Sequence, residues 1–148
     1  MDEPRLFRAL ISYLKGASIF MAASSLVAMP LVNVAPFLTL DQLMFMDWYG
    51  TPTLPPEAVR PFQLGFLLFC WLSILSAIML WFVVVNGLAK RERWAFHAYL
   101  TLGVGWPIGA IGIGLFTQAY WYLLSASIMT VCFTPPVFLL EKYMKSSS

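Results

Sequence analysis

Charged side chains leave three long gaps in this chain. Gly16–Leu40 is a charge-free run of 25 residues, Pro61–Ala89 one of 29, and Trp94–Leu140 one of 47 in which His97 is the only titratable base. An α-helix rises about 1.5 Å per residue, so the last run would be roughly 70 Å long as one rod. The hydrocarbon core of a bilayer is about 30 Å thick. The run therefore folds back on itself, with the turn at its most polar point, Phe116-Thr117-Gln118. The pattern predicts an all-α, four-helix transmembrane bundle forming a single domain over 1–148, with spans near 15–37, 62–87, 94–115 and 119–140 and one long outer loop, 39–61.

The basic residues give the bundle a direction. Arg5, Arg8 and Lys15 precede the first span, Lys90, Arg91 and Arg93 fill the second turn, and Lys142 and Lys145 follow the fourth span; only Arg60 lies at the other end. By the positive-inside rule both termini are cytoplasmic and the protein is expected in the plasma (inner) membrane. The first apolar stretch is longer than a signal-peptide core and no small-x-small cleavage site ends it, so the first helix is expected to be retained.

Pro4–Lys15 has its own periodicity. Arg5, Arg8, Ser12 and Lys15 share one helical face, and Leu6, Phe7, Leu10, Ile11 and Leu14 fill the other. This pattern fits an amphipathic helix lying in the interface, and equally an extension of the first span up to the headgroups. Further along, Pro30 and Pro36 predict a kink or an early end. In the outer loop Thr39 and Gln42 have capping-box spacing, which predicts a short helix over 40–47. The stiff Thr51-Pro52-Thr53-Leu54-Pro55-Pro56 stretch should restart helix near Glu57.

Composition narrows the function classes. The chain is 60% hydrophobic, 16% aromatic and 11% charged, with a mean hydropathy of +0.77. A soluble domain is about 25% charged, so a soluble enzyme and a disordered tail are excluded. A net charge of +2 in short clusters makes nucleic acid an unsuitable partner. Cys70 and Cys132 both fall in apolar runs without a CxxC partner and read as packing residues. No Asp, Glu, Lys or Arg lies inside the charge-free core of a predicted span, although such charges mark proton relays and ion-coupled transport. The small multidrug resistance transporters resemble this chain in length and helix count, but they depend on a membrane-embedded acid in their first helix, and this chain has none there. HExxH, GxSxG and P-loop motifs are absent from the sequence.

Four sets of residues remain as candidates. Ala98, Thr101, Gly105, Gly109 and Gly112 fall on one stripe of the third helix and suit close helix–helix packing. Arg93, Trp94 and His97 share a face near the cytoplasmic surface. With Trp106, placed near mid-bilayer beside Pro107, they form a candidate ligand or lipid site for a quinone headgroup, a pigment or a lipid phosphate. No cofactor is required by the sequence and no metal-ligand spacing is evident. Asp41, Asp47, Trp48, Tyr49 and Glu57 make the outer loop a candidate docking surface. Finally, Trp48, Tyr49, Tyr120, Trp121 and Tyr122 match an outer aromatic belt, and Tyr13, Trp94, Tyr99 and Tyr143 an inner one.

The layout resembles small four-helix bacterial membrane proteins of the DoxX-like kind. The matching pieces are Arg91-Glu92-Arg93-Trp94-Ala95 before the third helix, Trp106 within it, and Pro135-Pro136, which correspond to prolines ending the fourth helix of that family. The resemblance implies a connection to quinone-dependent redox chemistry, but no catalytic motif matches residue by residue. The expected function is that of a non-catalytic accessory or assembly subunit of a larger membrane complex, contacting lipid and either other subunits or a second copy. The alternative is a quinone- or lipid-binding redox partner. A passive transporter would need a polar pore, which scattered Ser, Thr and Asn residues do not supply.

Overall fold

The computed structural model describes residues 3–31, 45–46, 48–116 and 120–144. Its long elements are all helical: α1 (Glu3–Leu31), α2 (Pro56–Asn86), α3 (Arg93–Tyr99), a π-helical segment (Leu100–Val104), α4 (Gly105–Phe116) and α5 (Tyr120–Glu141). The π segment joins α3 to α4, so Arg93–Phe116 is one continuous rod and the described bundle has four rods. Three of them, within Arg5–Pro30, Pro56–Lys90 and Arg93–Phe116, are long and apolar enough to cross a membrane.

Helix boundaries follow local chemistry. Extended Pro55 (φ −56°, ψ 143°) precedes α2 and Pro56 takes its first position, where a missing N–H costs nothing. The helix therefore starts at the predicted restart near Glu57, six residues before the expected span boundary at 62. At its far end Gly87 and a 3-10 turn, Leu88–Lys90, lead to Arg91 in the left-handed region (φ 62°). The amides of Lys90 and Glu92 both donate to the Gly87 carbonyl at 3.0 Å, which closes the turn.

α1 runs unbroken from Glu3 to Leu31, passing through Pro30, so residues 4–15 are continuous with the first apolar run. The remainder of the predicted first span, and the Thr39–Gln42 capping pair, lie outside the described residues. So do Thr117 and Gln118 of the predicted fold-back turn. Helix α5 runs through Pro135 and Pro136 to Glu141, one residue past the predicted 140.

α1 packs most extensively on α2, and α4 on α5. The core is concentrated at one end. Phe7, Leu10, Ile11 and Leu14 meet Val83, Val84 and Leu88 of α2 and its turn, Ala95, Phe96 and Tyr99 of α3, and Val137, Leu140 and Tyr143 from the end of α5. The apolar face read from the spacing at 6–14 is thus the face that packs inside the protein. Arg5, Arg8, Lys15, Lys90, Arg91, Arg93 and Lys142 gather around this packed end, and Arg60 lies at the other. Away from it, Phe20, Leu26 and Val27 on α1 and Ile108, Ile113 and Phe116 on α4 are exposed.

Candidate functional site

The packed end is closed by aromatic and cationic groups from three elements. The Arg91 guanidinium lies 4.8 Å above the Phe7 ring. Phe7 meets Tyr143 edge-on at 5.4 Å, and the Lys142 ammonium stands 4.9 Å above Tyr143. The left-handed turn at Arg91 is what aims its side chain back over α1. Cation–ring contacts of this kind contribute about 0.5–1 kcal/mol each at exposed positions.

Arg93, Trp94 and His97 are exposed on the first two turns of α3, as their shared face predicts. Trp94 packs beside Gly87, and the His97 carbonyl accepts the Thr101 hydroxyl at 3.0 Å. Trp106 does not join them. It lies nine residues beyond His97, about 13 Å along the rod, with its ring 5.5 Å from Phe69 of α2. There it lines a cavity of about 30 Å³ with Ser73, Ser76, Gly103 and Phe133. That volume suits a single water and not a quinone or pigment ring.

The small-residue stripe is divided by the π segment. Pro107 has no N–H for the Gly103 carbonyl, and just before it the Gly105 amide reaches back five residues to Leu100. One extra residue in that turn rotates the downstream helix relative to α3. Ala98 consequently packs against the core, while Thr101, Gly105, Gly109 and Gly112 face outward. A Cβ on Gly109 or Gly112 would meet nothing within 4 Å.

The glycines that serve packing within the chain are others. A Cβ on Gly87 would overlap that of Ala95, and one on Gly103 would stand 2.7 Å from Cε1 of Tyr99. Tyr99 itself corrects the inner-belt expectation, for it is wholly buried, and Tyr143 is nearly so. Tyr99 Oη, Tyr143 Oη and Thr134 Oγ1 are buried without a protein hydrogen-bond partner. The sequence signal for the Tyr99–Gly103 pair was a ring four residues before a glycine on one helix face.

Tyr13 was also assigned to the inner belt, and its hydroxyl donates to the Cys132 carbonyl at 3.2 Å. In an unbroken α-helix that carbonyl would accept from residue 136, which is Pro136 and has no N–H. Tyr13 of α1 thus satisfies an acceptor that a proline in α5 leaves open. Tyr13→Phe is expected to cost about 0.5–1.5 kcal/mol. In a Pro136→Ala background the restored amide takes over the carbonyl and that cost disappears. A double-mutant cycle of denaturation in mixed micelles checks this, and equal costs in both backgrounds would refute it.

In the outer loop Asp41 and Asp47 lie outside the described residues. Trp48, Tyr49 and Glu57 are exposed. Phe45, which carried no weight in the sequence, anchors the loop: it is fully buried and meets Phe62 of α2 edge-on at 5.0 Å. Gly50 (φ 66°) ends this short helical turn, and its amide donates to the Met46 carbonyl at 3.0 Å. Both cysteines are free, Cys70 buried and Cys132 exposed. Among the described residues no three His, Cys, Asp or Glu side chains are grouped to hold a metal ion.

Fold and surface together define an all-helical bundle with three rods suited to crossing a membrane. Comparison with family models, with curated proteins and with solved structures finds no match.

Proposed function

We propose that this chain is a non-catalytic multi-pass protein of the plasma membrane, with both termini cytoplasmic, that serves as an accessory or assembly subunit of a larger membrane complex. The observation carrying this reading is the outward glycine face of α4, where Gly109 and Gly112 have open space in front of them. Small residues let helix backbones approach closely, and that approach drives association where lipid is as apolar as leucine. The uneven burial supports membrane residence. Packing is densest around the amphipathic part of α1, where the alternative environment is water and burying a large apolar side chain stabilises by about 1.5–3 kcal/mol. Within the hydrocarbon that driving force vanishes, and the faces there are left exposed.

The test is the mass of the particle extracted from native membranes in mild detergent. Stoichiometric partners are expected, giving a particle well above the 16.7 kDa of one chain. Gly109→Leu, which projects a side chain into the open face, is expected to release the partners while leaving the subunit folded. A lone native chain, or a Gly109→Leu particle of unchanged mass, sinks the reading. The alternative, a quinone- or lipid-binding redox partner of DoxX-like type, draws on the joint exposure of Arg93, Trp94 and His97, and an absorption spectrum of the same particle decides it.

A further inference from the structure

A second feature is a depression in the surface of the bundle. Between α1 and α2 runs an open apolar groove of about 520 Å³, within the range of small-molecule sites. Its floor is made of Ala22 and Ala77, and its walls of Ile19 and Leu26 on one side and Ile78 and Trp81 on the other. Ala77 is buried while Ile19, Leu26, Ile78 and Trp81 are exposed, so small residues beneath large ones create the depression. The helical face that forms the α1 wall has a distinctive order. Arg8, Ser12 and Lys15 continue through Ile19, Ala22 and Leu26 at alternating spacings of four and three. Its cationic part therefore leads directly into its apolar part, with Lys15 about 6 Å along the axis from Ile19. Around this end the described side chains include seven basic ones against two acidic ones, Glu92 and Glu141.

We propose that this groove is a binding site for an anionic phospholipid, with one acyl chain lying along Ile19, Ala22 and Leu26 and the headgroup phosphate held at Lys15. This rests on the chain residing in a bilayer, not on its assembling with other subunits. The occupant follows from charge complementarity. A zwitterionic lipid carries a cation that offsets its phosphate and gains little from the basic end, and a neighbouring apolar helix gains nothing from it, whereas an anionic lipid matches both halves of the face in the right order. Basic pockets beside apolar helix surfaces on the cytoplasmic side recognise anionic headgroups in this way. Lys15 is half-buried, and a lysine on such a face can lay its stem along apolar surface while its ammonium reaches the headgroup level.

The test is native mass spectrometry of the purified full chain, released from detergent with phosphatidylglycerol or phosphatidylcholine carrying identical acyl chains. The phosphatidylglycerol adduct is expected to be favoured about fivefold, the contribution of one basic side chain near an anionic headgroup. Lys15→Gln should bring the two lipids to parity, and Arg60→Gln at the far end should leave the preference intact. Ala22→Phe, which fills the floor, should weaken both adducts; if that variant does not fold, Lys15→Gln alone decides. No preference in the native chain, or one that survives Lys15→Gln, overturns the site. Displacement of the lipid by millimolar inorganic phosphate assigns the basic end to a free anion and also overturns it. Release of the chain from membranes by alkaline carbonate would defeat the membrane reading as well, whereas a retained chain without lipid preference defeats the groove alone.

Discussion

Truncating Tyr99 to alanine is expected to cost about 3–5 kcal/mol, the range for removing a large aromatic side chain from a packed site. Its ring is fully buried at the meeting point of α1, α3 and α5 and lies against Gly103 on its own rod. No smaller side chain fills that space without moving a helix. Tyr99→Phe is expected to behave in the opposite way, neutral or stabilising. The hydroxyl has no protein partner, so its removal strands no donor or acceptor and relieves the desolvation of the group itself. Denaturation of the two variants in mixed micelles, followed by circular dichroism, separates the contributions of ring and hydroxyl. A Tyr99→Phe loss above about 1 kcal/mol would show that the hydroxyl is engaged.

The second large effect is expected at Gly87. Its φ of −119° is open to any residue, so the requirement is one of space alone. A Cβ there would overlap Ala95, with Cζ2 of Trp94 and the Val83 carbonyl each at 3.0 Å. Ala95 is itself fully buried, and a backbone carbonyl does not rotate away as a flexible side-chain end does. Gly87→Ala should therefore cost about 3 kcal/mol, the upper end for overpacking, and Gly87→Leu should abolish the folded state. Gly109→Ala is the control: it meets open space and should be neutral or slightly favourable through helix propensity. Similar losses at both positions would show that the turn between α2 and α3 is looser than its geometry implies.

How much of this was legible in the sequence differs from element to element. Charge-free runs located the last two rods closely, since charge acts locally: they were expected over 94–115 and 119–140 and span Arg93–Phe116 and Tyr120–Glu141, whereas the first two helices start well before the predicted 15 and 62, at Glu3 and Pro56. The restart of helix near Glu57 and the gathering of basic residues at one end were equally readable. The apolar face of α1 was readable because that segment alone is strongly amphipathic. Elsewhere every helix face is apolar, and periodicity cannot say which face meets a neighbour. This is why Tyr99 was assigned to the membrane interface and is instead buried, and why Trp106 was grouped with His97 while it faces Phe69. The small-residue stripe assumed 3.6 residues per turn throughout; Ala98, before the π segment at 100–104, turns to the core, while Thr101, Gly105, Gly109 and Gly112 keep one outward face. Of the candidate ligand set, Arg93, Trp94 and His97 keep their shared exposed face, and Trp106 lies apart from it.

The contact between Phe7 and Tyr143 also bears on how the protein is made. Those two rings are separated by 136 positions in the chain. At roughly 5–20 residues per second, synthesis takes about 7–27 s to travel between them. Throughout that interval the apolar side of the first segment is covered only by what has already emerged, first the second rod and then the third. The end of the bundle that is most tightly closed in the finished protein is thus the last to be completed at the ribosome, and Val137, Leu140 and Tyr143 are the residues that complete it.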